Sequence, residues 1–161
     1  MSKKKEVKTN VMRILEQMRI TYQAYTYECE EFVDAVQVAD LLGLPYEKVY
    51  KTLVTVGSSK EYFVFVIPIR EELDLKKAAK VAGEKSLSMI PVKELQKVTG
   101  YIRGGCTAVG MKKPYATWIE KRALDLEQMI VSGGRLGSQI ELKPEDLCRA
   151  CDGAFADVIV T

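Results

Sequence analysis

The sequence VYKTLVTV at residues 49–56 decides the fold, together with the similar run YFVFVIPI at residues 62–69. Both runs are rich in β-branched and aromatic residues, which predicts two strands. The intervening GSSK at residues 57–60 is short enough to join them as a hairpin. Since neither strand has an obviously polar face, we expect both to lie in the centre of a sheet.

The segments around this hairpin alternate between predicted helices and predicted strands. Asp34 and Gln37 have the spacing of a capping box, and the helix that they begin should end at Gly43. Other helices are predicted after Thr9-Asn10, over residues 74–83 and 91–98, and from Pro144. Short strands are predicted at residues 22–27, 118–120, 129–132, 139–142 and 157–160. This mixture predicts an α+β fold, a compact mixed β-sheet or partial barrel flanked by helices.

The size and charge of the chain indicate one ordinary globular domain. Its 161 residues and net charge of +2 predict a single domain over residues 1–161, with a flexible basic N-terminus at residues 1–6. No apolar run approaches the ~20 residues that a membrane-spanning helix needs, and the N-terminus lacks the apolar run of a secretory signal. We therefore expect a cytoplasmic protein with no membrane partner.

Lys51 is the most unusual residue, because it places a charge inside an apolar strand. The chain contains no histidine. Acid–base chemistry near neutral pH would therefore have to come from lysine, cysteine, hydroxyl, carboxylate or backbone groups. Lys51 could extend its ammonium to solvent, or it could place that ammonium in a pocket for an anionic or ester-bearing ligand. The strand alone leaves both interpretations open.

Two glycine-rich runs, GGCTAVG at residues 104–110 and SGGRLG at residues 132–137, are candidate binding loops. Backbone N–H groups in such loops can approach a ligand closely. The neighbouring basic side chains favour a polyanionic ligand, because residues 101–137 carry a surplus of three positive charges. Neither run matches the phosphate-binding P-loop or the dinucleotide motif. Tight turns explain the glycines equally well.

The four cysteines are expected to be reduced thiols without a metal. Cys148 and Cys151 form a C-x-x-C pair, but a zinc site would also need Cys29 and Cys106, since the chain has no histidine. Small buried side chains are the preferred interpretation, with a thiol-redox or metal protein as a lesser alternative. Cys106 lies in a glycine loop, yet no histidine exists to activate it as a nucleophile.

Several segments in one order and spacing resemble the YbaK/EbsC family: YKTLV at 50–54, LDLKKAAK at 73–80, TGYIRGG at 99–105, VSGG at 131–134, and IEL at 140–142 before EDL at 145–147. The likeness extends over about residues 7–160. The members of this family are Cys-tRNA(Pro) deacylases related to the editing domain of bacterial prolyl-tRNA synthetases. The resemblance implies a compact mixed β structure flanked by helices. It also implies hydrolysis, in trans and without a cofactor, of the ester that joins a wrong amino acid to proline tRNA.

The resemblance implies roles for individual residues as well. The catalytic group would comprise Lys51, at the 3′ end of the substrate, and the backbone donors Gly104 and Gly105. The substrate-binding group would comprise Tyr27, Phe32, Thr52, Ser132 and Gly133. The contacts to tRNA phosphates would be Arg103, Lys112, Lys113 and Arg135. The implied partners are mischarged proline tRNA and prolyl-tRNA synthetase.

The chain departs from the family pattern near the implied pocket. Thr107 and Ala108 stand where the family commonly has serine and proline, and Gln139 replaces an acidic residue that often precedes the IEL run. These changes keep two alternatives open. The protein could hydrolyse Ala-tRNA(Pro), or it could be a non-catalytic module that binds tRNA, a nucleotide or a synthetase.

Overall fold

The computed structural model describes residues 8–161, so the predicted flexible N-terminus at residues 1–6 lies outside the described residues. The helices in this part of the chain are α1 (Asn10–Gln17), α2 (Ala35–Leu42), α3 (Leu75–Ala82), α4 (Val92–Thr99) and α5 (Pro144–Cys151). The strands are β1 (Gln23–Thr26), β2 (Tyr50–Gly57), β3 (Tyr62–Pro68), β4 (Leu87–Met89), β5 (Ala116–Glu120), β6 (Met129–Ser132), β7 (Ser138–Leu142) and β8 (Ala154–Ala156). Short 3-10 turns at Tyr46–Lys48 and Lys121–Asp125 precede β2 and follow β5.

The strands form two sheets that meet beside the start of β2. The five-stranded sheet has the order β4-β2-β3-β5-β8, and the three-stranded sheet has the order β1-β7-β6. The predicted hairpin is the antiparallel β2–β3 pair, whereas β3–β5 and β5–β8 are parallel. An isolated bridge between Val49 and Ile130 joins the two sheets. The result is a mixed-sheet α+β fold flanked by helices, as the sequence predicts.

Apolar packing on both faces of the hairpin explains its continuous apolar sequence. One face contributes Val54, Val64 and Val66 to the main core, which also contains α1 and the inner residues of β6 and β7. The other face contributes Phe65 and Ile67 to a second core beneath α3. Full burial of such side chains stabilises the fold by roughly 1.5–3 kcal/mol each. Lys51 is therefore set in a strand whose two faces are both covered.

Helix α2 packs where the two sheets join, and this packing positions the cleft described below. The capping box predicted at Asp34 and Gln37 is present, and the helix ends at Gly43 in the left-handed conformation. Ala39 of α2 packs with Val49 and Ile130, the residues of the bridge between the sheets. The first turn of α2 is thereby held over the start of β2.

The predicted helices and most predicted strands are confirmed, with two differences near the sheet edges. The strand predicted at residues 157–160 is wrong, because the strand of this region is β8 at Ala154–Ala156 and only Ile159 forms an isolated bridge, to Leu73. Strand β4 was not predicted. Within residues 8–161 every helix is too short or too polar to cross a bilayer.

Candidate active site

A cleft of about 540 Å³ opens where α2, the start of β2 and the two glycine loops come together. Six of the predicted site residues line it: Phe32, Lys51, Thr52, Arg103, Gly104 and Ser132. The other six do not: Tyr27, Gly105, Gly133, Lys112, Lys113 and Arg135. The chain therefore brings residues from four separate segments to one site, as the combined sequence motifs require.

Lys51 is a half-buried cation without a carboxylate partner among the described residues. Its register on β2 places it opposite Ile67 of β3, and its ammonium donates a hydrogen bond to the Ile69 carbonyl at 3.2 Å. Within residues 8–161 it forms no ion pair. Burial lowers the pKa of Lys51, and the charges of Glu72 and Glu71 oppose that shift. Because an ammonium has three N–H donors, Lys51 can still donate to a ligand.

Gly104 occupies a backbone position that only glycine fits well. Its φ of +87° lies in the left-handed region, and a Cβ there would lie 2.8 Å from Leu136 Cδ2 and 3.2 Å from Phe32 Cδ1. Among the described residues its amide has no hydrogen-bond acceptor. Gly104 therefore combines a place in the cleft wall with a backbone donor that a ligand can use.

Gly105 does not fit the donor role that the resemblance implies. Its amide donates to the Ile102 carbonyl at 3.0 Å, which closes a turn of the loop. A Cβ at this position would lie 2.9 Å from the Arg135 Cα, so a glycine is needed where the two loops touch. In this structure Gly105 allows close packing between the loops, and its amide already has an acceptor.

Ser132 faces the cleft from the end of β6, opposite Gln139 of β7. Its hydroxyl oxygen accepts a hydrogen bond from the Gly134 amide at 3.1 Å, which leaves the hydroxyl proton for a ligand. Gly133 differs from the expectation, because its amide donates to the Ser138 carbonyl at 2.9 Å. It closes the turn between β6 and β7 and does not line the cleft.

Tyr27 lies behind the cleft wall and supports a residue that does line it. The side-chain amide of Gln139 donates to the Tyr27 hydroxyl oxygen at 3.3 Å, and Gln139 is only 7% exposed. Burial raises the pKa of Tyr27, so its hydroxyl remains protonated at neutral pH. Tyr27 therefore orients Gln139 and does not line the cleft, and its direct contact with substrate stays a prediction.

The predicted phosphate contacts differ in their surroundings. Arg103 lines the cleft, and its guanidinium carbon lies 4.0 Å from the centroid of the Phe32 ring. Arg135 is exposed on the loop that packs against Gly105. Lys112 donates to the Lys97 carbonyl at 3.2 Å, near the C-terminus of α4, and Lys113 beside it is exposed. The four cations thus extend from the cleft rim to the end of α4.

Of the four cysteines only Cys106 is buried, and Cys29, Cys148 and Cys151 are partly exposed. Burial raises the pKa of Cys106 to about 12, so this cleft residue is a neutral thiol and a poor nucleophile near pH 7. The thiols of Cys148 and Cys151 donate to backbone carbonyls, of Gly153 at 3.1 Å and of Cys148 at 3.7 Å. No group of three metal-ligating side chains is found in residues 8–161.

Sequence reasoning missed the apolar wall formed by the first turn of α2. Ala35 and Val36 line the cleft, although the motifs that predicted the site lie elsewhere. The helix pattern gave no separate signal for them, because Ala35 lies on the same helix face as Val38, which also lines the cleft. Gln139 was noticed only as a departure from a pattern, and the structure makes it a wall residue.

Comparisons with known proteins agree with one another. Residues 29–150 match the model of the family described as the aminoacyl-tRNA editing domain. Over 157 residues the chain is 44% identical to EbsC of Enterococcus faecalis, named as a proposed Cys-tRNA(Pro)/Cys-tRNA(Cys) deacylase; the match covers 97% of the chain and 96% of that protein.

Two crystal structures show the same fold. That of a hypothetical protein matches with a TM-score of 0.85 and 22% identity, covering 93% of the chain and 99% of the other protein. That of a proposed trans-editing enzyme for prolyl-tRNA synthetase matches with a TM-score of 0.78 and 21% identity, covering 95% and 99%. At these identities the structural likeness establishes the fold.

Proposed function

The chain belongs to the aminoacyl-tRNA editing domain family, and on this premise we propose that it is a trans-editing deacylase that hydrolyses Cys-tRNA(Pro). The whole chain would act as one editing domain. The substrate ester joins the carboxyl group of the amino acid to the terminal ribose of the tRNA. Water adds to the ester carbonyl, the bond to the ribose oxygen breaks, and that oxygen takes up a proton. The products are free cysteine and a tRNA that can be charged again.

The position of Lys51 is the observation that carries this proposal. A cation at the cleft wall has no carboxylate partner within the described residues, and its hydrogen bond to the Ile69 carbonyl holds it in place. Such a group suits a substrate that is rich in oxygen atoms and carries negative charge nearby. We assign Lys51 to the 3′ end of the tRNA, where it orients the ester and stabilises negative charge on the carbonyl oxygen.

Gly104 and Ser132 supply the second and third donors of the proposed mechanism. Gly104 and Ser132 both line the cleft, and neither the Gly104 amide nor the Ser132 hydroxyl proton has an acceptor among the described residues. Donors that are fixed before the reaction stabilise the developing oxyanion, and one such donor contributes about 3–4 kcal/mol. This mechanism needs no histidine. Cys106 does not act as the nucleophile, because its buried thiol stays protonated.

The amino-acid side chain would lie against the apolar wall of α2. Ala35 and Val36 line the cleft there, and Gln139 supplies a polar neighbour. A wall of this kind accepts a small side chain such as that of cysteine or alanine. It discriminates weakly between them, because one methylene or thiol changes binding by only ~1–3 kcal/mol.

The remaining cations are assigned to the tRNA backbone. Arg135 and Lys113 are exposed on the side of the glycine loops and would contact phosphates of the acceptor stem, together with Lys112. Affinity should therefore fall steeply as salt rises. A protein with this substrate would work in the cytoplasm, where charged tRNA is used, and prolyl-tRNA synthetase is the proposed partner that supplies mischarged tRNA.

A deacylation panel tests the function directly. Purified protein is incubated with Cys-, Ala- and Pro-tRNA(Pro), and the remaining charged tRNA is measured. We expect rapid loss of Cys-tRNA(Pro), slower loss of Ala-tRNA(Pro), and retention of Pro-tRNA(Pro). The proposal is refuted if all three species decay at the rate seen without protein. In that case binding of uncharged tRNA would identify the chain as a non-catalytic module.

A further inference from the structure

Phe32 and Arg103 form a stacked pair at the rim of the cleft. Ester hydrolysis alone does not require such a pair. Phe32 lies in the loop before α2, and Arg103 lies in the loop after α4. The guanidinium carbon is 4.0 Å from the ring centroid, which is a close cation–π contact. Both residues line the cleft and both are exposed, so the pair stands where the cleft meets solvent.

The Phe32 ring is held firmly in place and yet remains open to solvent. Arg103 stacks on it, and Gly104 allows the ring to approach the loop backbone, because a Cβ at Gly104 would lie 3.2 Å from Phe32 Cδ1. Despite these two contacts the side chain is 42% exposed. A fixed aromatic surface beside a polar cleft is a good stacking site for a planar ligand.

We propose that this pair, the rim platform of Phe32 and Arg103, binds the terminal adenine base of the tRNA by stacking. The inference rests on the proposed deacylase function. The ester is carried by the ribose of the terminal adenosine, so the base is joined directly to the sugar that Lys51 would orient. Unpaired RNA bases commonly stack on aromatic side chains and on arginine planes. The platform would therefore place the sugar, and with it the ester, over the floor of the cleft.

Arg103 has a different role here from the phosphate contact implied by the resemblance. Its planar guanidinium group covers the ring and stiffens it for stacking, which the compact ammonium of a lysine does poorly. A phosphate contact, by contrast, depends mainly on charge and is largely kept by lysine. The substitutions Arg103→Lys and Arg103→Gln therefore separate the two roles.

The test measures base recognition without any turnover. Two uncharged RNA hairpins that mimic an acceptor stem each carry a fluorophore at the 5′ end, and the first ends in CCA. The second has a terminal ribose without a base, and fluorescence anisotropy on titration with the full chain gives the affinity of each hairpin. We compare wild type with Phe32→Leu, Phe32→Tyr, Arg103→Lys and Arg103→Gln at several salt concentrations. The control is Leu124→Ala, which alters a residue that is 49% exposed and does not line the cleft.

Stacking predicts a specific pattern of affinities. Wild type, Phe32→Tyr and Leu124→Ala should bind the complete hairpin about tenfold more tightly than the baseless one, as expected for one stacked base. Phe32→Leu keeps an apolar side chain but should bind both hairpins alike. Arg103→Lys should lose part of the preference for the base with an unchanged salt slope.

Two results would overturn the platform. One is an equal preference for the base in wild type and Phe32→Leu. The other is an Arg103→Lys variant that behaves as wild type while Arg103→Gln lowers the salt slope by about one, since that pattern marks a phosphate contact. If the rim platform is correct but the protein is not a deacylase, wild type should prefer the hairpin with the base and yet deacylate no tRNA. Deacylation without base discrimination would refute only the platform.

Discussion

Lys48 is the last residue of the 3-10 turn before β2, Lys51 lies three residues later within β2, and the two lysines line different clefts. Lys51 lines the cleft of about 540 Å³, and within residues 8–161 its one hydrogen bond goes to the Ile69 carbonyl. Lys48 lines a second cleft of about 640 Å³ and forms an ion pair with Glu141. Glu141 is only 7% exposed and also accepts a hydrogen bond from Tyr25 at 2.6 Å.

Lys48 has a structural role, whereas the ammonium of Lys51 is available to bind a ligand. A buried carboxylate must be paired, and Lys48 meets that need for Glu141. Its charge is therefore used within the protein. Lys51 is partly buried and has no ion pair in the part of the chain that the structure describes, and its desolvation lowers its pKa. A cation in that state is a good candidate for a functional site.

Loss of Lys51 should give the largest effect on activity. Lys51→Ala removes the proposed ester-orienting cation, so we expect kcat/KM for Cys-tRNA(Pro) to fall about 10²–10³-fold. The melting temperature should not fall, because the substitution removes a partly desolvated charge. The matched control is Lys48→Met, which should retain activity within a few-fold. Equal losses in the two variants would show that the distinction between the clefts is wrong.

Loss of Lys48 should have the larger effect on stability. Lys48→Met leaves the Glu141 carboxylate buried with only Tyr25 as a partner, and we expect the free energy of unfolding to fall by about 1–3 kcal/mol. Urea denaturation at pH 7 measures this. Adding Glu141→Gln removes the unpaired charge, so the double variant should recover part of the loss. A double variant less stable than either single one would contradict the account of this pair.

The two lysines also illustrate what can be predicted from the sequence and what cannot. Lys51 stands out locally, because a charge in a strand with two apolar faces is recognisable from its neighbours alone. Glu141 also belongs to a recognisable motif, but its partner Lys48 is 93 residues away, and no local pattern indicates that contact. The same reason explains the missed β4 and the misplaced last strand, since their positions depend on pairing with β2 and β5.

Some features of the candidate site are also predictable from local sequence, and others are not. The motifs indicate which loops form the cleft, and the α2 capping box is predictable because it depends on residues three positions apart. The motifs do not indicate which backbone amides stay free. Gly104 and Gly105 are equivalent in the sequence, yet the Ile102 carbonyl takes the amide of Gly105 alone.

We expect high pH to reduce activity at the first cleft and low pH to weaken the ion pair at the second cleft. Activity needs charged Lys51, whose pKa burial lowers, so activity should decline severalfold on the alkaline side, before a solvated lysine would titrate near 10.4. Deacylation rates, corrected for the rise in spontaneous ester hydrolysis, measure this. Residual activity of Lys51→Ala should lack the decline. The same decline in that variant would assign the titration to another group.

On the acid side the Glu141 pair should weaken. Burial alone would raise the pKa of Glu141, but the hydrogen bonds from Lys48 and Tyr25 outweigh it and the net pKa is lowered. The stability gained from this shift is present above the ordinary glutamate pKa of about 4.3 and is lost as pH falls through the lowered value. The stability difference between wild type and Lys48→Met should therefore shrink between pH 5 and pH 3 in urea denaturation. A constant difference would contradict the pairing.

The smallest expected effect concerns the charges around the two clefts. Arg135 stands on the loop beside the first cleft, whereas Lys143 lines the second cleft beside Asp125, Glu127 and Glu145. RNA phosphates should approach the first cleft and be repelled from the acidic second one. Arg135→Gln should therefore lower the slope of log affinity against log salt by about one, while Lys143→Gln leaves the slope unchanged. Each substitution removes one positive charge, so a general effect of net charge would lower both slopes alike. A lower slope for Arg135→Gln alone would indicate a local contact between Arg135 and a phosphate.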